Sequence, residues 1–195
     1  HMFALARHIY ISNVTMRNGE WNKAKYKGFE LSGKTLGLVG FGRISRSVAK
    51  KAMALGMTVI YDDMLGQSDT MPECTYVGKE RLLLESDIIS LHIPLTPETK
   101  GFVNDEFLSC FKKDVFLINT ARGEVVVNKA IVNHLKSGKL LGAALDVLEN
   151  EKIDLLSGDE LNTFEYLINS DKVILTPHVA GWSKESYYKI NKVLV

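Results

Sequence analysis

Thr35-Leu36-Gly37-Leu38-Val39-Gly40-Phe41-Gly42-Arg43-Ile44-Ser45 is the stretch on which the fold of this chain turns. A short apolar run enters a glycine-rich turn, and a helical pattern leaves it. Ile44, Val48, Ala52 and Leu55 follow at intervals of four, four and three, which predicts a helix with one apolar face, ended by Gly56. A second strand-like run, Thr58-Val59-Ile60-Tyr61, comes next. Strand, glycine turn, helix and strand together form a frame that holds a pyrophosphate. Gly40 permits the tight turn and Gly42 lets the backbone approach the anion. The helix N-terminus at Arg43 and Ile44 offers free N–H groups and a positive dipole. The third position of such turns is usually Gly or Ala, for close helix–strand packing; here it is Ser45, which sets a hydroxyl at a crowded contact.

Asp62 lies 20 residues beyond Gly42, at the end of the second run, where a carboxylate accepts both ribose hydroxyls of an adenosine. Asp63 beside it reads as a solvated turn acid. No Arg or Lys follows Asp62 until Lys79, and an acid at this place repels a 2′-phosphate, so NAD is expected rather than NADP.

Strand candidates continue at Asp87 to Ile93, Val115 to Asn119, Leu140 to Leu145 and Val173 to Thr176. Helical stretches lie between, at Lys79 to Glu85, Asp105 to Cys110 and Asn128 to Lys136. Strands apolar on both faces that alternate with amphipathic helices predict a doubly wound parallel α/β sheet, with helices on each side. In such a sheet ligands bind beyond the carboxyl ends of the strands. Three strands end in polar chemistry there: Ile118-Asn119-Thr120-Ala121-Arg122-Gly123, Leu145-Asp146-Val147-Leu148-Glu149-Asn150-Glu151 and Thr176-Pro177-His178-Val179-Ala180-Gly181-Trp182. An arginine, a carboxylate and a histidine that converge on one crevice suit 2-oxo acid chemistry.

These segments resemble the D-isomer-specific 2-hydroxyacid dehydrogenases, a family that includes phosphoglycerate dehydrogenase, D-lactate dehydrogenase and glyoxylate/hydroxypyruvate reductase. Glu30 to Thr35, Ser86 to Thr96, Asn119 to Gly123, Ala144 to Val147 and Pro177 to Gly181 carry the resemblance over nearly the whole chain. It implies the Rossmann NAD-binding domain of an oxidoreductase that moves hydride between NAD(H) and a 2-hydroxy or 2-oxo acid. It also implies roles. Arg122 would hold the substrate carboxylate. His178 would be the general acid–base, and Glu151, five residues beyond Asp146 as in the family, would pair with it. Asp146 would bind the nicotinamide carboxamide or its ribose, and Ile93, Pro94, Thr99, Thr120, Ala121 and Gly181 would line the cofactor. Formate is disfavoured, since the family's formate dehydrogenases carry glutamine where this chain has Glu151. His92 reads as a packed strand-end residue, and His8 and His134 as helix residues without chemistry.

Composition sets the outer bounds. The 195 residues are 46% hydrophobic and 24% charged, with a net charge of +1, which fits one ordinary globular domain. No basic stripe predicts nucleic-acid binding and no apolar run is long enough to span a membrane. Cys74 and Cys110 lack disulfide or metal spacing, and read as buried groups in a reducing, cytoplasmic compartment; no metal is expected. His1-Met2 reads as a tag remnant, residues 3–33 as a crossover helix (Phe3 to Met16) and connecting arm, 34–182 as the Rossmann domain, and 183–195 as the start of a truncated helix that Ser183 caps. By family likeness the substrate-capping domain is missing. The fragment is then expected to bind NAD and turn over substrate poorly, and the resemblance implies a homodimer largely through the nucleotide-binding domain, including the helix and arm around Phe3 to Gly33. Two rivals stand beside this reading: a non-enzymatic NAD-sensing module of corepressor type, and another Rossmann enzyme, such as an adenosylhomocysteine hydrolase-like or alanine dehydrogenase-like protein. The Arg122, Glu151 and His178 spacing separates the second rival but not the first.

Overall fold

The structure is a computed structural model that describes residues 1–194. Its strands are β1 (Thr35–Val39), β2 (Thr58–Asp62), β3 (Thr75–Tyr76), β4 (Ile88–Leu91), β5 (Val115–Asn119), β6 (Leu140–Leu145) and β7 (Val173–Leu175). The helices are α1 (Met2–Ala6), α2 (Ile9–Arg17), α3 (Arg43–Ala54), α4 (Gly78–Glu85), α5 (Asp105–Ser109), α6 (Asn128–Ser137), α7 (Gly158–Asn169) and α8 (Lys184–Leu194). The strands form one sheet in the order β3-β2-β1-β4-β5-β6-β7, with every pair parallel. This is the doubly wound sheet expected from the sequence.

Successive side chains of a strand face opposite sides, so each buried strand feeds two cores. Leu36, Leu38, Tyr61, Ile118 and Ala144 meet Ala49 and Ala52 of α3, with Leu5 and Ala6 of α1, on one side. Ile89, Leu91, Leu117 and Leu145 meet Phe107, Ile131, Leu135 and Leu167 of α5 to α7 on the other. The winding reverses at β1: β2 and β3 run out to one side and β4 lies on the other. Val39, the last residue of β1, is in register with Asp62 of β2 and Leu91 of β4, so the crevice opens at this point.

Several local expectations change. The helix expected over Phe3 to Met16 is two helices, broken at Arg7 and His8. His8 therefore lies on a link in left-handed conformation (φ 51°), not on a helix. The buried face of α3 is Ser45, Ala49 and Ala52, and Ile44 is 71% exposed. Of the face predicted, Ala52 is buried and Val48 and Leu55 pack against the core, so only Ile44 departs, its place taken by the small Ser45, which lets the first turn lie close to the sheet. Gly56 does end α3, with φ +77° and its N–H on the Met53 carbonyl. Cys74 is buried, whereas Cys110 is exposed. Helix α7 and the short strand β3 were not expected; α7 buries only Thr163 and Leu167, too sparse a face to announce itself.

A histidine at φ 51° bears a cost that glycine escapes and a β-branched residue increases. We expect His8→Gly to keep the wild-type unfolding free energy and His8→Val to lie about 1–2 kcal/mol below it in urea titrations.

Candidate active site

Gly40 has φ +88°, and a Cβ there would stand 2.8 Å from the His92 carbonyl oxygen and 2.9 Å from Ile93 Cγ2. Both the conformation and the approach to the β4 exit require glycine. The Gly40 N–H donates to the Asp62 carbonyl (2.8 Å), and the Phe41 N–H to Asp63 Oδ2 (2.6 Å). The first helical bond of α3 runs from the Arg46 N–H to Gly42 O (3.1 Å). The N–H groups of Gly42, Arg43, Ile44 and Ser45 have no acceptor among the described residues, and a Cβ on Gly42 would meet nothing within 4 Å. Open donors at a helix N-terminus, beside a space that a side chain would fill, fit a pyrophosphate. Ser45 is fully buried and its hydroxyl donates to Gly42 O (3.0 Å), so the extra polar atom is satisfied inside the first turn of α3.

Asp62 is half-buried at the end of β2. Its carboxyl is pushed above the usual range by burial first and by the charge of Asp63 second, with Lys79 opposing. Asp63 is not the solvated acid expected. Besides the Phe41 N–H it accepts from the Leu65 N–H (2.9 Å), so Asp62 is the acid left to face a ligand.

The opposite lip of the crevice follows β4. The Thr99 hydroxyl donates to Pro94 O (2.7 Å) and accepts from the Thr96 N–H (2.8 Å), which ties residues 94–99 into a compact loop behind Ile93. His92 packs beneath, 3.0 Å from the Ser90 hydroxyl, and burial pulls its ring down to a pKa of about 4. It is the packed strand-end residue expected, neutral at physiological pH.

Beyond β5, the buried Asn119 accepts from the Ala121 N–H (3.0 Å) and donates to Arg122 O (2.9 Å), which folds Thr120 to Arg122 into a tight turn. The Arg122 side chain is exposed, and it meets no acid among the described residues; its one partner is the Ala121 carbonyl. Gly123 comes next, and a Cβ on it would fall 1.7 Å from Leu148 O. Only glycine lets the Arg122 turn lie directly on the loop after β6. In that loop Glu149 accepts from the Asn128 N–H (3.0 Å) at the start of α6, while Glu151 reaches His178, with Oε1 3.2 Å from Nδ1. The two acids are thus divided between a helix cap and the histidine. Gly181 lies on the exposed turn beyond His178, and its carbonyl accepts from the Ser186 hydroxyl (2.6 Å). Ser183 accepts from the Ser186 N–H (3.0 Å), the cap expected at the start of α8.

Asp146 has a task that sequence reading missed. It is 2% exposed, and its carboxylate accepts from the Thr176 hydroxyl and from the N–H groups of Val179 (2.9 Å) and Ala180 (2.8 Å). Its carbonyl accepts from the His178 N–H (2.8 Å). Asp146 thereby fixes the turn that holds His178, itself in the left-handed region at φ 56°. An aspartate that ends a fully apolar strand was the available signal. One carboxylate lone pair, on Oδ2, has no donor among the described residues, where the carboxamide or its ribose is expected.

Residues 1–180 match the family model described as "D-isomer specific 2-hydroxyacid dehydrogenase, NAD binding domain". The chain belongs to this family. It is an NAD-binding domain of the type found in that family. It is 41% identical to a hydroxypyruvate reductase of Thermotoga maritima over 195 residues, covering all of this chain and 61% of that protein. Two solved structures superpose on 99% of it. One is a glyoxylate reductase from Paecilomyes thermophila (TM-score 0.88, 32% identity, 56% of that chain), and the other is a D-lactate dehydrogenase from Aquifex aeolicus complexed with NAD and lactic acid (TM-score 0.87, 34% identity, 60% of that chain). The chain thus spans about six-tenths of the length of these relatives. Among the described residues no helix is long and apolar enough to cross a membrane, and no cluster of His, Cys, Asp and Glu is placed to hold a metal.

The depressed pKa of His92 makes stability depend on pH. Below its ordinary value of 6.5 the unfolded chain takes up a proton that the folded ring refuses until about pH 4. This contribution is present at neutral pH and is lost as pH falls through that window, up to about 3 kcal/mol. We expect the pH slope of unfolding free energy between 6.5 and 4 to flatten in His92→Asn, measured against wild type by denaturant titration.

Proposed function

We propose that this domain supplies the cofactor half and the acid–base half of a dehydrogenase that interconverts a 2-oxo acid and its D-2-hydroxy acid. The observation that supports the reading best is the Glu151–His178 pair, at 3.2 Å, on the loop and strand end next to the Arg122 turn. When bound, NADH supplies the hydride. Arg122, exposed and free of any acid among the described residues, receives the substrate carboxylate through two parallel N–H donors. His178 gives a proton to the 2-oxo oxygen from Nε2, while Nδ1 is held by Glu151, which orients the ring. In the reverse direction His178 takes the proton from the hydroxyl. Asp62 accepts the adenosine ribose hydroxyls and disfavours a 2′-phosphate, and the lone pair left on Asp146 receives the carboxamide. Gly40, Gly42, Arg43 and Ile44 cradle the pyrophosphate. Ile93, Pro94, Thr99, Thr120, Ala121 and Gly181 line the rest.

The substrate is a small 2-oxo or 2-hydroxy acid, and its capture needs a second domain that closes the crevice and excludes water. This 195-residue chain alone binds NAD and turns over poorly. The exposed Phe3, Ile9, Val14, Met16 and Trp21 on the N-terminal helices and arm support a homodimer through that region. Two free cysteines support a reducing, cytoplasmic setting. A corepressor-type sensing module is not favoured, since the similar proteins are reductases and dehydrogenases.

In a chain that carries both domains, His178→Ala is expected to lower turnover by about 10²–10⁴-fold with NADH affinity unchanged. Near-normal reduction of glyoxylate or hydroxypyruvate by that variant refutes the assignment. Fluorescence titration of this chain is expected to give tighter NADH than NADPH binding, with the preference narrowed in Asp62→Ser. Tighter NADPH binding by the wild type would overturn the role of Asp62.

A further inference from the structure

We propose that Asp63, not only Asp62, serves the dinucleotide: it is the positioning residue that sets the peptide orientation of the glycine turn. The inference rests on the NAD-binding reading of the domain. Asp63 lies just past β2, and its carboxylate bridges two backbone donors. Oδ2 accepts from the Phe41 N–H at 2.6 Å and Oδ1 from the Leu65 N–H at 2.9 Å. The first is a short, charge-assisted bond to the central residue of Gly40-Phe41-Gly42.

Phe41 is gripped twice by the same segment. Its ring stacks on Tyr61 with centroids 3.7 Å apart and planes 10° from parallel, and the Tyr61 hydroxyl in turn accepts from the Ser68 N–H (2.8 Å). The Gly40 N–H meanwhile donates to Asp62 O. Consecutive residues of the β2 exit therefore hold residues 40 and 41 at backbone and side chain. The remaining donors, from Gly42 to Ser45, have no acceptor among the described residues.

The division of donors has a physical consequence. A glycine on each side leaves the Phe41 peptide free to rotate in the absence of a fixed acceptor. With its N–H turned onto Asp63, the donors that follow are presented together at the start of α3, where a pyrophosphate binds. Pre-ordering this loop removes a cost that binding would otherwise bear. Asp63 also lies beside Asp62, and its charge helps to raise that neighbour's proton affinity. The two acids are therefore not interchangeable: one faces the ligand and its neighbour fixes the loop.

The test compares Asp63→Ala and Asp63→Asn in this chain. Asparagine keeps an oxygen that can accept from the Phe41 N–H, whereas alanine does not. Expected are an NADH dissociation constant at least about tenfold higher in Asp63→Ala and one within about threefold of wild type in Asp63→Asn. In ¹⁵N–¹H spectra without cofactor, the wild-type Phe41 amide proton should shift upfield as acid protonates Asp63, and Asp63→Asn should abolish that titration. That titration reports the bond itself, and a purely structural acid would show it too, but would leave the NADH dissociation constant of Asp63→Ala at the wild-type value. Wild-type NADH affinity in a folded Asp63→Ala, or a Phe41 amide that ignores the carboxylate, overturns the inference. If Asp63→Ala does not fold, Asp63→Ser, whose shorter side chain does not span the Phe41 and Leu65 donors, takes its place with the same expected rise in the NADH dissociation constant. Failure of the wild-type chain to bind NADH at all sinks the NAD-binding reading instead, and is thereby distinguished.

Discussion

The reversal of winding at β1 is the constraint on which the rest of the molecule depends. Because β2 and β4 flank β1 on opposite sides, the helices that follow β1 and β4 leave toward opposite faces, and the carboxyl ends of the central strands are left uncovered. The chain must then leave β1 within one turn and enter α3 without filling that gap. Gly40 meets this demand, since it alone tolerates φ +88° with the His92 carbonyl where a side chain would begin. The crevice is thus a by-product of sheet topology that a single backbone contact keeps open.

Loops at the ends of parallel strands lose the ladder of hydrogen bonds that ordered the strands, yet these loops hold the chemistry. The same device restores order at three of them. Asp63 accepts from the glycine turn, Asn119 from the Arg122 turn, and Asp146 from the His178 turn. In each case a short polar side chain at or just past a strand end supplies the acceptor that the next strand no longer provides. Asn119 and Asp146 are almost fully buried, which makes their bonds costly to lose and their turns correspondingly rigid.

What could be read from the residues alone follows the strength of local signals. β1, β5 and β6 have the bounds their β-branched and apolar runs imply, since a strand buried on both faces is apolar without interruption. The face of α3 departs from the apolar spacing only at its first turn, where periodicity weighted by size chose Ile44 and the small, buried Ser45 makes the contact instead. The break at His8 has no glycine or proline to mark it. Helix α7 follows a charged stretch and buries little. At the site, the residue types that end the strands were legible because polar groups at the mouth of an apolar sheet are conspicuous. The division of labour within each acidic pair was not. Whether Asp62 or Asp63 faces outward, and whether Glu149 or Glu151 meets the histidine, depends on side-chain direction around a turn, which spacing along the chain does not encode. For Glu151 a family resemblance supplied what spacing lacked.

His178 joins these constraints at one residue. A non-glycine residue in the left-handed region costs about 1–2 kcal/mol, and it persists only where its surroundings over-determine it. Asp146 does so by accepting the His178 N–H on its carbonyl and the two following N–H groups on its carboxylate. The turn is forced tight enough for the ring to swing back over the β6 exit, where Glu151 waits at the end of a different loop. An extended residue 178 would carry the imidazole onward along β7 and away from the crevice. The strain is therefore what points the histidine across the strand ends, and the buried aspartate offsets it, so that an imidazole carried by an edge strand stands at the mouth of the sheet beside Glu151.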